Sequence, residues 1–220
     1  EYYRKARTLS TFGEEPLGDD DASRAGVSSE MLDRFEFLAD EAGRNGLSLI
    51  VGLVTGWMSG RLFVPRAFEN LNVLTDPFVI RWQVKFVKCF VRRFRSHKAV
   101  AAWDLGNECN CMAPVPDSDA ASLWASSIAN AIKAEDGSRP VVSGMHGLKV
   151  SSGAAWTIAD QSEITDVLTT HPYPLFTPWC NLDPINTMRN GLHASAESRL
   201  CSDVGGRPCM VEEIGTLGSM

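Results

Sequence analysis

No apolar run in this chain approaches the roughly 18 residues that a membrane-spanning helix needs, so no membrane partner is expected and the chain reads as soluble. Positive charge is not in excess either. With 27 acids against 21 bases and a formal net charge of −6, there is no electrostatic footprint for nucleic acid. The basic cluster Arg92, Arg93, Arg95 and Lys98 falls at the end of a predicted helix, where cations complement the dipole, and reads as structural. Neither G-x-G-x-x-G nor G-x-x-x-x-G-K-[ST] occurs, so the phosphate loop that a doubly wound sheet usually announces is missing and no cofactor is expected. No Asn-x-Ser/Thr sequon is found.

The cysteines, Cys89, Cys109, Cys111, Cys180, Cys201 and Cys209, are dispersed through a chain long enough to build a core without staples, and their spacing establishes no disulfide. Cys109-Asn110-Cys111 lacks a second pair or a histidine at zinc spacing, so no metal is expected. Cys89 shares a helix face with Phe86 and Phe90 and reads as a buried thiol. No signal peptide pattern precedes the first segments, but the chain starts at Glu1 without an initiator Met, and the compartment stays open. Oligomeric state is equally open.

What is present is an apolar fraction of 44%, ordinary for one globular domain. Residues 1–26 are polar, with an Asp19-Asp20-Asp21 run, and read as a lead-in loop region; residues 27–220 read as the domain. Met31, Leu32, Phe35, Leu38, Ala39 and Ala42 recur at helical spacing. Leu47 to Val54 is then a short apolar run, the mark of a strand buried on both faces of a parallel sheet. Asp76-Pro77 opens a second helix with a capping residue and a first-turn proline, and Val79, Trp82, Phe86, Phe90 and Phe94 mark its buried face. Ala99 to Leu105 reads as the next strand. Asp117 or Ser118 caps a third helix carrying Trp124, Ile128 and Ile132. Strands are expected at Pro140–Ser143, Thr165–Thr170 and Pro208–Glu212, with a short helical turn at Thr157–Glu163 and a helix at Ile185–Leu200.

Strands alternating with helices specify an α/β fold with a parallel sheet. Polar residues at the ends of several different strands favour a barrel: Trp57 after the first, Asn107 and Glu108 after the second, His146 after the third, His171 and Tyr173 after the fourth, Glu213 after the fifth. Two carboxyls at strand ends, Glu108 and Glu213, are what glycoside hydrolysis requires, one to protonate the leaving oxygen and one to attack the sugar carbon.

Trp103-Asp104-Leu105-Gly106-Asn107-Glu108, His171-Pro172-Tyr173 and Glu213-Ile214-Gly215, in that order, resemble glycoside hydrolase clan A. The similarity is closest to family 5-type enzymes, the cellulases and β-mannanases, and spans Leu47 to Gly218. It implies a (β/α)8 TIM barrel and a retaining mechanism, with Glu108 as acid/base, Glu213 as nucleophile and a carbohydrate substrate. Asn107, His171, Tyr173, His146, Trp57 and Trp179 are the candidate substrate-binding residues. In the family the Asn-Glu motif closes strand four, yet here it closes the second clear strand. Strands one, two and eight are therefore expected to be missing, with about five of eight βα units present. The Arg usual on strand two and the Trp on strand eight go with them, and Gly52 to Trp57 stands where a strand-three His is often found.

The chemistry adds two expectations. Glu108 should hold its proton near neutral pH, through desolvation and a neighbouring anion. Glu212 and Glu213, adjacent on a strand, should point to opposite faces so that only Glu213 enters the site, leaving Glu212 as a salt-bridge partner or a support behind the residues that line it. A transglycosylase on the same scaffold and a catalytically silent carbohydrate-binding barrel are the alternatives.

Overall fold

The computed structural model describes residues 11–12, 15–16, 18–58, 60–173 and 188–215. Five helices alternate with five strands: α1 (Ser29–Arg44), β1 (Leu49–Val54), α2 (Pro77–Phe94), β2 (Val100–Gly106), α3 (Ser118–Glu135), β3 (Val141–Val142), α4 (Ile158–Ile164), β4 (Leu168–Thr170), α5 (Met188–Gly205) and β5 (Cys209–Val211). All strand pairings among them are parallel. β1 pairs with β2, β2 with β3, and β4 with β5. A bridge between Val142 and Val167, with Ser143 N–H donating to the Val167 carbonyl at 3.0 Å, joins the two groups into one sheet. Spatial order thus equals chain order throughout, with none of the reversal that defines a doubly wound sheet. Among the described residues, the outer edges of β1 and β5 have no strand partner.

Helices α1 to α4 each begin on a side chain suited to cap them. Ser28 accepts from the Met31 N–H at 3.4 Å, Asp76 from Phe78 at 2.9 Å and Asp117 from Ala120 at 2.8 Å, each occupying an amide that the helix itself leaves unpaired. Thr157 caps α4 and bonds Asp160 reciprocally. The apolar stripes face the sheet: Leu32, Ala39 and Ala42 from α1; Val79, Trp82, Val87, Val91 and Phe94 from α2; Trp124, Ile128 and Ile132 from α3. Trp103 is fully buried, edge-on to Phe90, with its indole N–H on Asp136 at 2.9 Å. Gln83 ties α2 to α3 inside this layer, accepting from the Trp124 indole at 2.8 Å and donating to the Val73 carbonyl at 2.9 Å. Buried polar atoms matched in this way avoid the desolvation cost of an unpaired donor.

The strands are shorter than the sequence pattern predicts at Pro140–Ser143, Thr165–Thr170 and Pro208–Glu212, because the ladders take in only Val141–Val142, Leu168–Thr170 and Cys209–Val211 of those runs. The last helix runs on to Gly205 instead of ending at Leu200, and residues 185–187 of its expected start lie outside the described set. Within the lead-in, Asp21–Arg24 forms a short helix capped by Asp20, and Ala22 and Ala25 join the core. The basic cluster is spent on structure. Arg92 forms a two-pronged contact with Glu135, Arg93 reaches Asp33 and Glu36, and Arg95 donates to the Glu135 carbonyl. Cys89 is only partly buried. No described helix is long and apolar enough to cross a membrane.

Candidate active site

The carboxyl ends of β2 to β5 converge on one cluster. β2 is buried from Ala102 to Gly106, and a Cβ on Gly106 would overlap the Val54 carbonyl, so only glycine lets β1 and β2 close together here. Two residues on, Glu108 adopts φ 46°, ψ 47°, a left-handed conformation that costs a residue with a Cβ roughly 1–2 kcal/mol. The turn is held from both sides: Cys109 N–H donates to the Gly144 carbonyl at 2.9 Å, and Cys111 N–H to the Glu108 carbonyl at 2.8 Å. Gly144 has φ +60°, and a Cβ there would overlap Gly106 O and Asp104 Oδ1. Asn110 fixes the loop after β3, accepting from His146 N–H at 2.9 Å and donating to the Gly147 carbonyl at 3.0 Å.

Glu108 Oε1 meets two imidazoles, His146 Nδ1 at 2.7 Å and His171 Nδ1 at 3.2 Å. The same His171 Nδ1 lies 3.6 Å from Glu213 Oε1, while its Nε2 is 3.2 Å from Glu212 Oε2. Tyr173 donates its hydroxyl to Glu213 Oε2 at 2.8 Å. One nitrogen 3.2 Å from Glu108 and 3.6 Å from Glu213 bounds the separation of those oxygens at about 6.8 Å, the sum of the two. That bound excludes most of the roughly 6.5–9.5 Å range of inverting glycosidases and includes the roughly 5–5.5 Å of retaining ones. The Glu213 side chain is 37% exposed against 12% for Glu108, so one carboxyl faces the opening while the other sits deeper.

Charge in the cluster is strongly redistributed. Hydrogen bonds from His146 and then His171 outweigh burial and hold Glu108 down at about 2. This reverses the sequence-based expectation for that carboxyl: the groups nearest to it are imidazoles, not an anion. Burial would lower His171, but its bonds to Glu108 and Glu212, with the charge of Glu213, carry it up to about 9. Burial and then the neighbouring Glu212 push Asp104 up to about 9. Burial, followed by Glu213, raises Tyr173 to about 12.

The structure therefore brings together Glu108, His146, His171, Tyr173 and Glu213. Asn107 donates its side-chain amide to the Trp57 carbonyl at 2.8 Å, so Trp57 meets the site through its backbone at the base of a hairpin with Arg61 and Leu62. Trp179 lies outside the described residues. Glu212 is not on a face turned away. The β5 ladder stops at Val211, strand alternation lapses beyond it, and one imidazole reaches both glutamates. Asp104 is the residue that sequence reasoning missed. An acid in the middle of an otherwise apolar buried run was the available signal.

Glu108, His146 and His171 place donor atoms within 4.8 Å of one another, close enough to suggest a metal. His171 Nδ1 faces Glu108 at 3.2 Å and its Nε2 faces Glu212 at 3.2 Å, so the same ring also links two carboxylates by hydrogen bonds.

No model of a known protein family matches the chain. It is 25% identical over 213 residues to a probable mannan endo-1,4-β-mannosidase F of Aspergillus flavus, covering 90% of this chain and 44% of that protein. It is likewise 25% identical over 219 residues to mannan endo-1,4-β-mannosidase A of Hypocrea jecorina, covering 88% and 46%. The chain thus spans less than half the length of these curated relatives. Among solved structures it is similar to a GH5_18 protein of Streptomyces cattleya in complex with Manβ1-4GlcNAc (TM-score 0.73, 18% identity, 83% of this chain and 48% of that one). It is also similar to the endo-β-1,4-mannanase of Thermotoga petrophila (TM-score 0.65, 18% identity, 86% and 46%). The fold is part of a TIM barrel, and the chain resembles family 5-type enzymes of clan A over a part of their length.

Proposed function

We propose that this chain carries the catalytic half of a retaining glycoside hydrolase acting on a β-1,4-linked, mannan-type glycan. The observation that carries the reading is the sharing of one imidazole nitrogen by Glu108 and Glu213, which keeps two strand-end carboxyls within about 6.8 Å. A separation inside that bound favours direct attack by a carboxylate over attack by an interposed water. Glu213, the more exposed of the two and positioned by the Tyr173 hydroxyl, takes that role. Glu108 protonates the leaving oxygen and then activates the water that releases the glycosyl-enzyme. Asn107, its amide nitrogen held on the Trp57 carbonyl, keeps its own carbonyl oxygen as an acceptor for the sugar 2-hydroxyl. The mannan specificity rests on the activity that the relatives' names state.

The test is Glu213→Ala assayed on β-1,4-mannan and on cellulose. Turnover of mannan should vanish and return with azide, giving a product of inverted anomeric configuration by NMR. Unchanged hydrolysis by the variant would overturn the assignment, and faster cleavage of cellulose by the parent chain would overturn the substrate.

A further inference from the structure

We propose that Glu108, His146 and His171 form a binding site for a divalent transition-metal ion of the zinc class, and that the ion, once seated, reversibly silences Glu108. Binding stands on the geometry alone; the loss of activity rests on the glycosidase reading of Glu108.

Glu108 Oε1 lies 2.7 Å from His146 Nδ1 and 3.2 Å from His171 Nδ1, and the three donor atoms fall within 4.8 Å of one another. Zinc at about 2.0–2.2 Å from nitrogen and oxygen ligands in a tetrahedron sets its donors about 3.3 Å apart, so neither contact with Oε1 has to open by more than about 0.6 Å. The two rings meet at 77° with centroids 6.2 Å apart, so they reach one oxygen from different directions. His171 carries a further feature of a metal ligand. Its far nitrogen, Nε2, is held by Glu212 Oε2 at 3.2 Å, the carboxylate–imidazole pairing that orients a ligating ring and strengthens its hold on an ion. The loops bearing the donors are tied together: Asn110 accepts from His146 N–H at 2.9 Å, and the His146 carbonyl accepts from His171 N–H at 2.8 Å. Ligands fixed in advance cost little ordering when the ion arrives.

Charge favours the ion as well. Glu108, Glu212 and Glu213 stand 3.2, 3.2 and 3.6 Å from the one His171 ring, and a divalent cation answers more of that negative charge than a proton does. The hydrogens now lying in the two contacts with Glu108 leave to solvent as the metal–nitrogen bonds form. Two imidazoles and a carboxylate suit zinc, copper or nickel, whereas magnesium and calcium call for oxygen ligands. The fourth position lies toward Glu213, whose side chain is 37% exposed, and a water or Glu213 itself completes the shell there. His146 stands outside the three motifs that carry the family resemblance, so this donor set belongs to the chain's own sequence. With Oε1 on the metal, Glu108 can neither protonate a leaving oxygen nor activate a water.

Calorimetric titration of zinc chloride into the full chain, its accessible thiols first alkylated so that no cysteine competes, should give a single site of micromolar affinity. Calcium and magnesium should give none. His146→Asn should weaken binding about 10- to 100-fold, and Glu212→Gln, which removes no ligand, by a similar factor that Glu212→Asp recovers. Cobalt(II) in the parent chain reads the site without any variant: it should show the intense visible absorption of a four-coordinate ion. Turnover of β-1,4-mannan should fall roughly tenfold at about ten times the zinc dissociation constant and return with EDTA. Absence of saturable binding, affinity indifferent to His146 or Glu212, or the weak cobalt spectrum of an octahedral oxygen set would overturn the site. Zinc bound at full turnover would overturn the inhibition. A chain that binds zinc through these residues yet cleaves no β-linked glycan in EDTA would overturn the glycosidase reading instead, leaving the metal site standing.

Discussion

Replacing His171 by Asn removes a cation that three carboxylates share. The ring lies 3.2 Å from Glu108, 3.2 Å from Glu212 and 3.6 Å from Glu213, and is itself 1% exposed. Breaking a buried ion pair from one side costs about 3–5 kcal/mol, because the partner's charge is left without compensation. At about 2–4 °C per kcal/mol for a domain of this size, the melting temperature should fall on the order of 10 °C. The penalty should depend on pH with a definite sign. His171 is raised from 6.5 to about 9, so its charge stabilises the fold fully below 6.5 and the contribution is lost as pH rises through about 9. Melts followed by circular dichroism at about pH 6, 8 and 10 should therefore show the widest gap between parent and variant at the first value, an intermediate one at the second and a narrow one at the last. A gap of the same width at pH 6 and pH 10 would mean that the ring acts through packing alone and would refute the electrostatic account.

Tyr173→Phe removes a 2.8 Å hydrogen bond to the Glu213 carboxylate, worth about 1.5–3 kcal/mol, and steady-state kinetics should show kcat/KM reduced roughly 10- to 100-fold with the melt little changed. Gly144→Ala forces a Cβ into Gly106 O and Asp104 Oδ1 at φ +60°, so it should destabilise by more than about 4 kcal/mol, read as loss of soluble, cooperatively melting protein. Arg139→Met severs a guanidinium that donates to the Arg95, His97 and Val100 carbonyls and pairs with Asp136 at 2.8 Å. Chemical denaturation should show a loss of about 3–5 kcal/mol, with kcat of the surviving folded fraction unchanged.

The architecture could be read because its signals are local. Asp76-Pro77 and Asp117 announce their helices by hydrogen bonds made within three residues, and the Leu47–Val54 run is buried by the strand beside it whatever lies further off. The positions of the site residues along the chain were equally accessible, since each stands directly after a strand. Their charges were not. The state of Glu108 depends on His146 and His171, 38 and 63 residues away, and a carboxyl flanked by imidazoles behaves oppositely to one flanked by an acid. Glu212 shows the limit of a periodic rule: alternation holds while the ladder lasts, and β5 ends one residue too early for it to apply. Asp104 could be seen but not interpreted, because its charge state depends on its burial and on Glu212, which stands far along the chain.

Arg139 stands at the start of β3, where it gathers the carbonyls that lead into β2, at the opposite end of the strands from Glu108 and Glu213. A change at the Arg139 end should therefore be felt as lost stability alone, whereas at the other end Gly144 and His171 make the packing of the strands and the arrangement of the carboxyl cluster one problem.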